Sequence, residues 1–192
     1  MLKIKNIAIF ASGAGSNAEN IIKYFENNEN GKVKTLLCNV QNAYVVTRAD
    51  NLDIPCIIFS RDDFYISNRI IDRLLHDEID LIVLAGFLWL VPEKIIRLYN
   101  NRIINIHPAL LPDYGGKGMY GDNVHKAVIA DCKKESGITV HYVNETYDEG
   151  DIIFQAKCEI TASDTAETLA QKVHALEYEH YPKVIESVLM HL

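Results

Sequence analysis

Short strand-like runs and longer helical patterns alternate along the first half of the chain. Apolar runs predict strands from Ile4 to Phe10, Val33 to Cys38, Cys56 to Phe59 and Leu81 to Ala85. Between them, helices are predicted from Ala18 to Phe25, Ala43 to Leu52, about Phe64 to His76, and Pro92 to about Leu98. In the third helix the 3.6-residue period is carried by Ile66, Ile70, Ile71, Leu74 and Leu75. This alternation predicts a parallel, doubly wound sheet with helices on both faces.

The pattern changes after Ile106. A loop with four glycines is predicted from Asp113 to Asn123, followed by a helix from about Val124 to Cys132. Two β-rich runs follow, and a long helix covers roughly Thr165 to Met190; the runs are Ile138 to Val143 and Ile152 to Ile160. Because no linker or repeat interrupts these elements, residues 1–192 are expected to form one α/β domain. Its sheet is expected to be Rossmann-like and mostly parallel, with antiparallel strands in the C-terminal part.

Composition narrows the class of protein. With 48% hydrophobic and 23% charged residues, the 192-residue chain is ordinary for a soluble globular domain. Its net charge of −7 argues against tRNA or DNA as a partner. The cysteines lack zinc-type spacing, which favours reduced thiols in a cytoplasm and no metal. No apolar run is long enough for a membrane span, and the run near Lys5 is too short for a signal peptide. A monomer or homodimer acting on small molecules is expected.

The segment NIHPALLP holds the first candidate chemistry. Asn105 and His107 lie two residues apart after an apolar run, so on a continuing strand both side chains share one face. An amide can donate to a developing oxyanion, and an imidazole can move a proton near neutral pH. A carboxylate some forty residues later, in the acidic turn from Tyr147 to Gly150, could orient the imidazole. On spacing alone, a satisfied turn without chemistry is the commoner interpretation.

The loop from Gly13 to Ala18 has two interpretations. It fits the G-x-G-x-x-G/A dinucleotide fingerprint after a strand and before a helix. That fingerprint needs an acidic residue near the end of the second strand, and Leu37 to Val40 contains none. A single phosphate held by backbone N–H groups and the Ser16 hydroxyl at a helix N-terminus needs no such acid. A plain strand-to-helix turn is the structural alternative.

The chain resembles the folate-dependent formyltransferases in five segments, in the same order and with similar spacing: IAIFASGAGSN, LAGFLWLVP, INIHPALLP, SGITVHYVNETYDEGDII and HALEYEHYP. The resemblance is greatest to members that formylate the amine of 5'-phosphoribosylglycinamide in de novo purine biosynthesis, with 10-formyltetrahydrofolate as co-substrate. The alternatives are a formyltetrahydrofolate hydrolase or another amine N-formyltransferase. The relatives that hydrolyse the folate or formylate tRNA carry an additional domain, for which this chain is expected to have no residues.

The resemblance also implies roles for individual residues. Asn105 and protonated His107 would stabilise the oxyanion, and Asp148 would raise the pKa of His107 and orient its ring. The amine substrate would be bound by Gly15, Ser16, Asn17, His174, Ala175, Leu176 and Glu177. The folate would be bound by Arg61, Leu88, Trp89, Leu90, Val91, Asn105, Asn144, Glu145, Thr146, Tyr147 and Asp148. Many family members have a basic residue at the position of Trp89.

The other histidines are assigned from pattern alone. His141 lies opposite the apolar residues of its strand, which leaves a structural role and a site-lining role equally open. His76, His180 and His191 are expected at the surface.

Overall fold

A seven-stranded sheet forms the centre of the protein in the computed structural model, which describes residues 3–192. Met1 and Leu2, the first residues of the predicted domain, lie outside the described residues. The strands lie in the order β3-β2-β1-β4-β5-β6-β7. They are β1 (Lys5–Ala11), β2 (Gly31–Cys38), β3 (Cys56–Ile58), β4 (Leu81–Leu84), β5 (Ile103–His107), β6 (Glu135–Tyr142) and β7 (Ile152–Glu159).

Strands β1 to β5 pair in parallel, whereas β6 pairs antiparallel with both β5 and β7. Residues 143–151 link β6 to β7 and reverse the chain, whereas the link from β5 to β6 contains a helix and still ends in an antiparallel pair. The predicted α/β class is confirmed, including the antiparallel C-terminal strands.

Seven helices cover the two faces of the sheet within the described part of the chain. Residues of β1 alternate between the faces, with Ile7 and Ile9 in one apolar cluster and Ala8 and Phe10 in the other. The first cluster includes side chains of α1 (Ser16–Phe25), α2 (Tyr44–Asn51), α6 (Asp122–Ala130) and α7 (Ala166–Leu189). The second includes side chains of α3 (Arg61–Tyr65), α4 (Arg69–His76) and α5 (Glu93–Leu98).

The single helix predicted from Phe64 to His76 is wrong, because two helices occupy this region. Ser60 begins α3 with a capping box, in which its hydroxyl accepts from the Asp63 N–H. The Ser67 hydroxyl donates to the Asp63 carbonyl and accepts from the Arg69 N–H, which ends one helix and begins the next. The predicted apolar face is therefore broken, and Ile66 is 76% exposed. Leu75 is also exposed, while Ile70 and Leu74 are buried in the second cluster.

The strand order reverses at β1, since β2 and β4 pair with its opposite edges. The loops that follow β1 and β4 diverge at this point and leave a crevice at the carboxyl edge of the sheet, where α/β proteins bind ligands. Two hydrogen bonds join these loops. Ser12 N–H donates to the Gly86 carbonyl over 3.1 Å, and Leu88 N–H donates to the Ser12 hydroxyl over 3.0 Å. The two walls of the crevice are thus fixed relative to one another.

Helix α7, 24 residues long, is anchored by polar contacts as well as by its apolar face. Pro182 lies inside it and cannot donate to the carbonyl of Tyr178. Asn20 of α1 donates to that carbonyl instead, over 3.0 Å. The fully buried Tyr181 hydroxyl donates to the Leu84 carbonyl at the end of β4, over 2.9 Å. No described helix is long and apolar enough to cross a membrane.

Tyr181→Phe should lower the free energy of unfolding by about 1–2 kcal/mol, because it removes a buried hydrogen bond without changing the packing. Urea unfolding monitored by circular dichroism measures the loss. Tyr178→Phe, at an exposed position on the same helix, is the matched control and should leave stability near that of the parent protein. Equal effects of the two substitutions would show that the Tyr181 hydroxyl does not anchor α7.

Candidate active site

A cavity of about 690 Å³ lies over the carboxyl edge of the sheet. Its walls come from the loops after β1 and β4, the end of β5, the glycine-rich segment before α6, the turn between β6 and β7, and one side of α7. Phe87 and Trp89 pack against the apolar cluster of α3 to α5, while Asn17 and Glu177 belong to helices on the other face. The cavity therefore reaches both faces of the sheet.

Strand pairing places four polar side chains together at the end of β5. Asn105 pairs with His141 across the β5–β6 ladder, and His107 pairs with Thr139. Because directly opposed residues point to the same face, all four side chains lie on one side of the sheet. His141 Nε2 is 3.2 Å from Asn105 Nδ2, and His141 lines the cavity. The open question about His141 is resolved in favour of a site-lining position.

Asp148 lies at the centre of this group. Its Oδ2 is 3.5 Å from His107 Nδ1 and accepts from the Gly116 N–H over 2.9 Å. Its Oδ1 is 3.5 Å from Asn105 Nδ2 and 3.6 Å from His141 Nε2. The backbone of Asp148 has a φ of 58°, in the left-handed region that aspartate and asparagine tolerate better than most residues.

Burial tends to raise the pKa of Asp148, but the contact with His141, the charge of His107 and the Gly116 N–H outweigh it. The pKa of Asp148 is consequently below its usual value. The carboxylate is ionised at neutral pH, although its side chain is only 10% exposed.

Burial and the groups around His107 act on its pKa in opposite directions. Burial lowers the pKa of His107 below its ordinary value, although Asp148 and the Tyr114 carbonyl both act to raise it. The pKa of His107 is therefore below that of a free imidazole, even though a carboxylate lies beside it. Since a carbonyl can only accept, His107 Nε2 carries the proton that it donates to the Tyr114 carbonyl over 2.7 Å. Nδ1 faces Asp148 Oδ2.

A buried hydroxyl holds the chain that follows His107. Thr139 Oγ1 donates to the Ala109 carbonyl over 2.7 Å and accepts from the Leu111 N–H over 3.0 Å. Gln155 on β7 donates to the same hydroxyl and to the Leu111 carbonyl. These bonds keep the loop after Pro108 against the sheet, so that the Tyr114 carbonyl reaches His107 and the Gly116 N–H reaches Asp148.

The loop after β1 presents backbone donors to the cavity. In the described part of the chain, the N–H groups of Ala14, Gly15, Ser16 and Asn17 donate to no other protein group. These residues line the cavity at the N-terminus of α1. Such a set of free N–H groups at a helix start attracts an anion.

Glu177 faces this loop from α7. Its Oε2 accepts from Asn17 Nδ2 over 2.9 Å, and the residue is 6% exposed. Burial raises the pKa of Glu177 above its ordinary value, although Asn17 and His174 act to lower it. His125 on α6 also lines the cavity, and its buried Nδ1 has no protein partner within residues 3–192. This end of the cavity is therefore rich in groups that can bind polar ligand atoms.

The opposite end of the cavity is aromatic. Trp89 packs with Phe59, Phe64, Tyr65 and Phe87, with ring centroids 5.9 to 6.4 Å apart. Of these rings, Phe87 and Trp89 line the cavity and give it an apolar surface that suits a flat heterocycle better than a charged sugar.

The chain matches the family described as formyl transferase over residues 5–185. It belongs to the formyl transferase family. The phosphoribosylglycinamide formyltransferase of Bacillus subtilis is 39% identical over 97% of this chain and 95% of its own length. The chloroplastic enzyme of the same name from Arabidopsis thaliana is 37% identical over 96% of this chain, which spans 65% of that protein. The crystal structure of phosphoribosylglycinamide formyltransferase from Bacillus halodurans superposes with a TM-score of 0.86 at 36% identity, covering 96% of this chain and 95% of that one.

In this formyl transferase the cavity brings together most of the predicted site residues. Those that line it are Gly15, Ser16, Asn17, Leu88, Trp89, Leu90, Val91, Asn105, His107, Thr146, Tyr147, Asp148, His174 and Glu177. Spacing explains part of this set, since His174 and Glu177 lie three residues apart on one face of α7.

Five predicted residues do not line the cavity. Ala175 is exposed and Leu176 packs against the first cluster, because successive residues of a helix point in different directions. Asn144 accepts from the Thr146 N–H in the turn, and Glu145 is exposed beside it. Arg61 lies on the outer side of the aromatic wall, with its guanidinium 4.9 Å from the Trp89 ring centroid.

Several lining residues of the formyl transferase were not predicted. His125 and the segment from Gly116 to Gly121 line the cavity, and Tyr114 contributes its carbonyl to His107. The one available signal was the density of glycines between Asp113 and Asn123, which indicates irregular backbone but not what it contacts. Within residues 3–192, no group of three or more His, Cys, Asp or Glu residues is arranged to hold a metal ion. The expectation of a metal-free site stays a prediction.

Glu177→Gln should raise the melting temperature of the ligand-free protein at pH 8 and have little effect near pH 4. Because the folded pKa of Glu177 is raised, ionisation costs stability as pH rises from the unfolded pKa through the folded one. Glutamine keeps an acceptor for Asn17 and carries no charge. Thermal unfolding at the two pH values measures the difference, with the exposed Glu179→Gln as control. A lower melting temperature at pH 8 would contradict an uncompensated buried charge.

Proposed function

We propose that this chain transfers the formyl group of 10-formyltetrahydrofolate to the amine of 5'-phosphoribosylglycinamide, a step of de novo purine biosynthesis. One observation carries the proposal. The ionised Asp148 lies within 3.6 Å of an amide and two imidazoles, between an anion-binding loop and an aromatic wall. Formyl transfer between a phosphorylated amine and a folate needs a binding region for each substrate, with the reacting groups between the two regions.

The phosphoribosyl amine occupies the end of the cavity at α1 and α7. Its phosphate accepts from the backbone N–H groups of Gly15, Ser16 and Asn17 and from the Ser16 hydroxyl. His174 and Glu177, across from this loop, contact the sugar and glycinamide groups. The burial of Glu177 makes its carboxylate a strong acceptor for ligand O–H and N–H groups, because water does not compete for it.

The folate occupies the aromatic end. Its pterin lies between the segment from Leu88 to Val91 and residues Thr146 and Tyr147 of the opposing turn. The backbone N–H and C=O groups of the first segment can form hydrogen bonds with the edge of a flat heterocycle. Arg61, stacked on Trp89, is placed for the acidic tail of the folate beyond the rim. The Trp89 ring fills a position that is basic in many family members, so this protein meets the folate there with an aromatic surface.

The chemistry takes place at the end of β5. The amine nitrogen attacks the formyl carbon, and the negative charge that develops on the formyl oxygen accepts a hydrogen bond from Asn105 Nδ2. Neutral His107 takes the proton released by the attacking amine at Nδ1, and Asp148 stabilises the imidazolium that results. Collapse of the tetrahedral intermediate breaks the bond to the folate nitrogen, to which His107 returns the proton. Charges and protons balance without a metal.

We also propose a compartment, an oligomeric state and the kinds of partner for this protein. The net charge of −7 argues against nucleic acid as a partner. The proposed substrates are small molecules, and we place the chain in the cytoplasm without a membrane partner, as a monomer or homodimer. Neither a resident cofactor nor a metal takes part, and 10-formyltetrahydrofolate is a co-substrate.

Product analysis tests the function directly. The protein is incubated with 10-formyltetrahydrofolate, with and without 5'-phosphoribosylglycinamide, and the products are separated by chromatography. We expect formylated amine and tetrahydrofolate in equal amounts, and formation of tetrahydrofolate only when the amine is present. Amine-independent release of formate would instead assign a formyltetrahydrofolate hydrolase.

Asp148→Asn should reduce turnover by on the order of 10³, by analogy with loss of the orienting acid in a serine-hydrolase triad. Asparagine keeps the shape and tolerates the left-handed backbone, but removes the charge that stabilises protonated His107. Turnover against pH and affinity for the amine substrate are measured for both proteins. Amine affinity should hardly change. If the variant keeps more than about a tenth of parental turnover, Asp148 is only a turn residue.

Trp89 emission should change when a folate analogue is added and stay nearly constant with ribose 5-phosphate. Trp89 is the only tryptophan in the chain, and it lies in the aromatic wall at the opposite end from the Ser16 loop. Fluorescence titration of each ligand measures the response, and Trp89→Phe provides the background. A silent tryptophan at saturating folate analogue would remove Trp89 from the folate site.

A further inference from the structure

We propose that Arg48, on α2 outside the cavity, positions the loop that binds the substrate phosphate and so sets affinity for the phosphoribosyl amine without touching it. This inference rests on the proposed function. It adds a positioning residue that neither the motifs nor the cavity wall identifies, since Arg48 is not among the lining residues.

Three contacts hold the Arg48 guanidinium in place. Its Nε donates to the Ala14 carbonyl over 2.9 Å, in the middle of the loop. A second guanidinium nitrogen pairs with Glu19 in the first turn of α1. The group also stacks on Tyr44, 4.8 Å from the ring centroid. One side chain thereby connects α2, the loop and the start of α1.

The neighbouring residue reinforces this connection. Val45 N–H donates to the Gly13 carbonyl over 3.2 Å. The Val45 side chain fills the space beside Gly15, where a Cβ atom would lie 2.2 Å from Val45 Cγ2. Gly15 also has a φ of 75°, which L side chains rarely adopt. Helix α2 therefore contacts the loop at Gly13, Ala14 and Gly15.

Because the peptide bond is planar, these contacts fix the direction of the loop's backbone N–H groups. In a trans peptide the C=O of one residue and the N–H of the next point in opposite directions. The Gly13 and Ala14 carbonyls both face α2, bound by Val45 and Arg48. The N–H groups of Ala14 and Gly15 must then point away from α2, toward the cavity.

Arg48 acts by orienting the peptide groups of the loop more than by its charge. Glu19 neutralises the guanidinium directly, and Lys23 contacts the same carboxylate. Without Arg48 the Ala14 carbonyl loses its donor, and the peptide between Ala14 and Gly15 is free to rotate. Rotation would turn the Gly15 N–H away from the phosphate and bring a carbonyl oxygen toward it, so phosphate binding should weaken.

Arg48→Met and Arg48→Lys test this role in the full chain. Both should raise the KM for 5'-phosphoribosylglycinamide about tenfold, the effect of one good hydrogen bond. The kcat and the KM for 10-formyltetrahydrofolate should stay within about twofold in the same assays. Lysine keeps the charge but cannot hold Ala14 and Glu19 with two nitrogens of one rigid group. Arg97→Met, which breaks an exposed Arg–Glu pair on α5, is the matched control and should change nothing.

Calorimetric titration with ribose 5-phosphate separates this inference from the proposed function. The affinity for ribose 5-phosphate should fall by the same factor in both Arg48 variants. If the parent protein binds it but does not formylate the amine, the proposed function fails and this titration still decides the role of Arg48. Unchanged affinity and KM in folded Arg48→Met would overturn the inference, and so would parental values in Arg48→Lys.

An equal rise in KM for both substrates would also overturn the inference, because it would indicate a general structural effect. If neither Arg48 variant folds, Glu19→Gln provides the test. This substitution weakens the ion pair between Glu19 and the Arg48 guanidinium, and it should raise the KM for the amine about two- to threefold. An unchanged KM in Glu19→Gln would then count against the role of Arg48.

Discussion

The buried carboxylate of Asp148 is the interaction on which the active site depends. An ionised carboxylate is stable in a low-dielectric setting only when hydrogen bonds and opposite charge compensate for lost water. Here the compensation comes from β5, β6 and the loop before α6, through Asn105, the two histidines and the Gly116 N–H. The carboxylate therefore holds three separate segments at fixed distances. The contacts that stabilise the charge thus also fix the groups that we propose act at the formyl carbon.

The strand order explains why one cavity has two unlike ends, as the proposed pair of substrates requires. Because β2 and β4 lie on opposite sides of β1, the loops after β1 and β4 diverge and carry different recognition chemistry. One offers backbone donors for a phosphate and the other an aromatic wall. The hydrogen bonds between Ser12, Gly86 and Leu88 hold the two walls at a fixed separation. The end of β5, next to β4 in the sheet, supplies the groups between them.

The sequence was sufficient for the parts of the site that follow from local periodicity. Asn105 and His107 share a face because a strand alternates, and apolar runs separated by helical patterns indicated the sheet class. The position of His141 depended on the β5–β6 register, which no single strand reveals. The break between α3 and α4 came from the Ser67 hydroxyl competing with helical bonds, a side-chain effect that apolar periodicity does not show. The lowered pKa of His107 arose from burial, which outweighed the carboxylate seen in the motif.

Two buried carboxyl groups in this cavity differ in a way that relates stability to binding. Asp148 has a lowered pKa because protein groups compensate for its burial, whereas Glu177 has a raised pKa because one amide and one imidazole do not. The uncompensated group faces the end of the cavity assigned to the amine substrate. Ligand hydroxyl or amine groups can donate the missing hydrogen bonds there. Binding then relieves the desolvation cost that the Glu177 carboxylate carries in the free protein, and this relief contributes to the binding free energy. The compensated group lies where we propose the formyl group reacts, and there a charge fixed before the substrates bind stabilises the transition state.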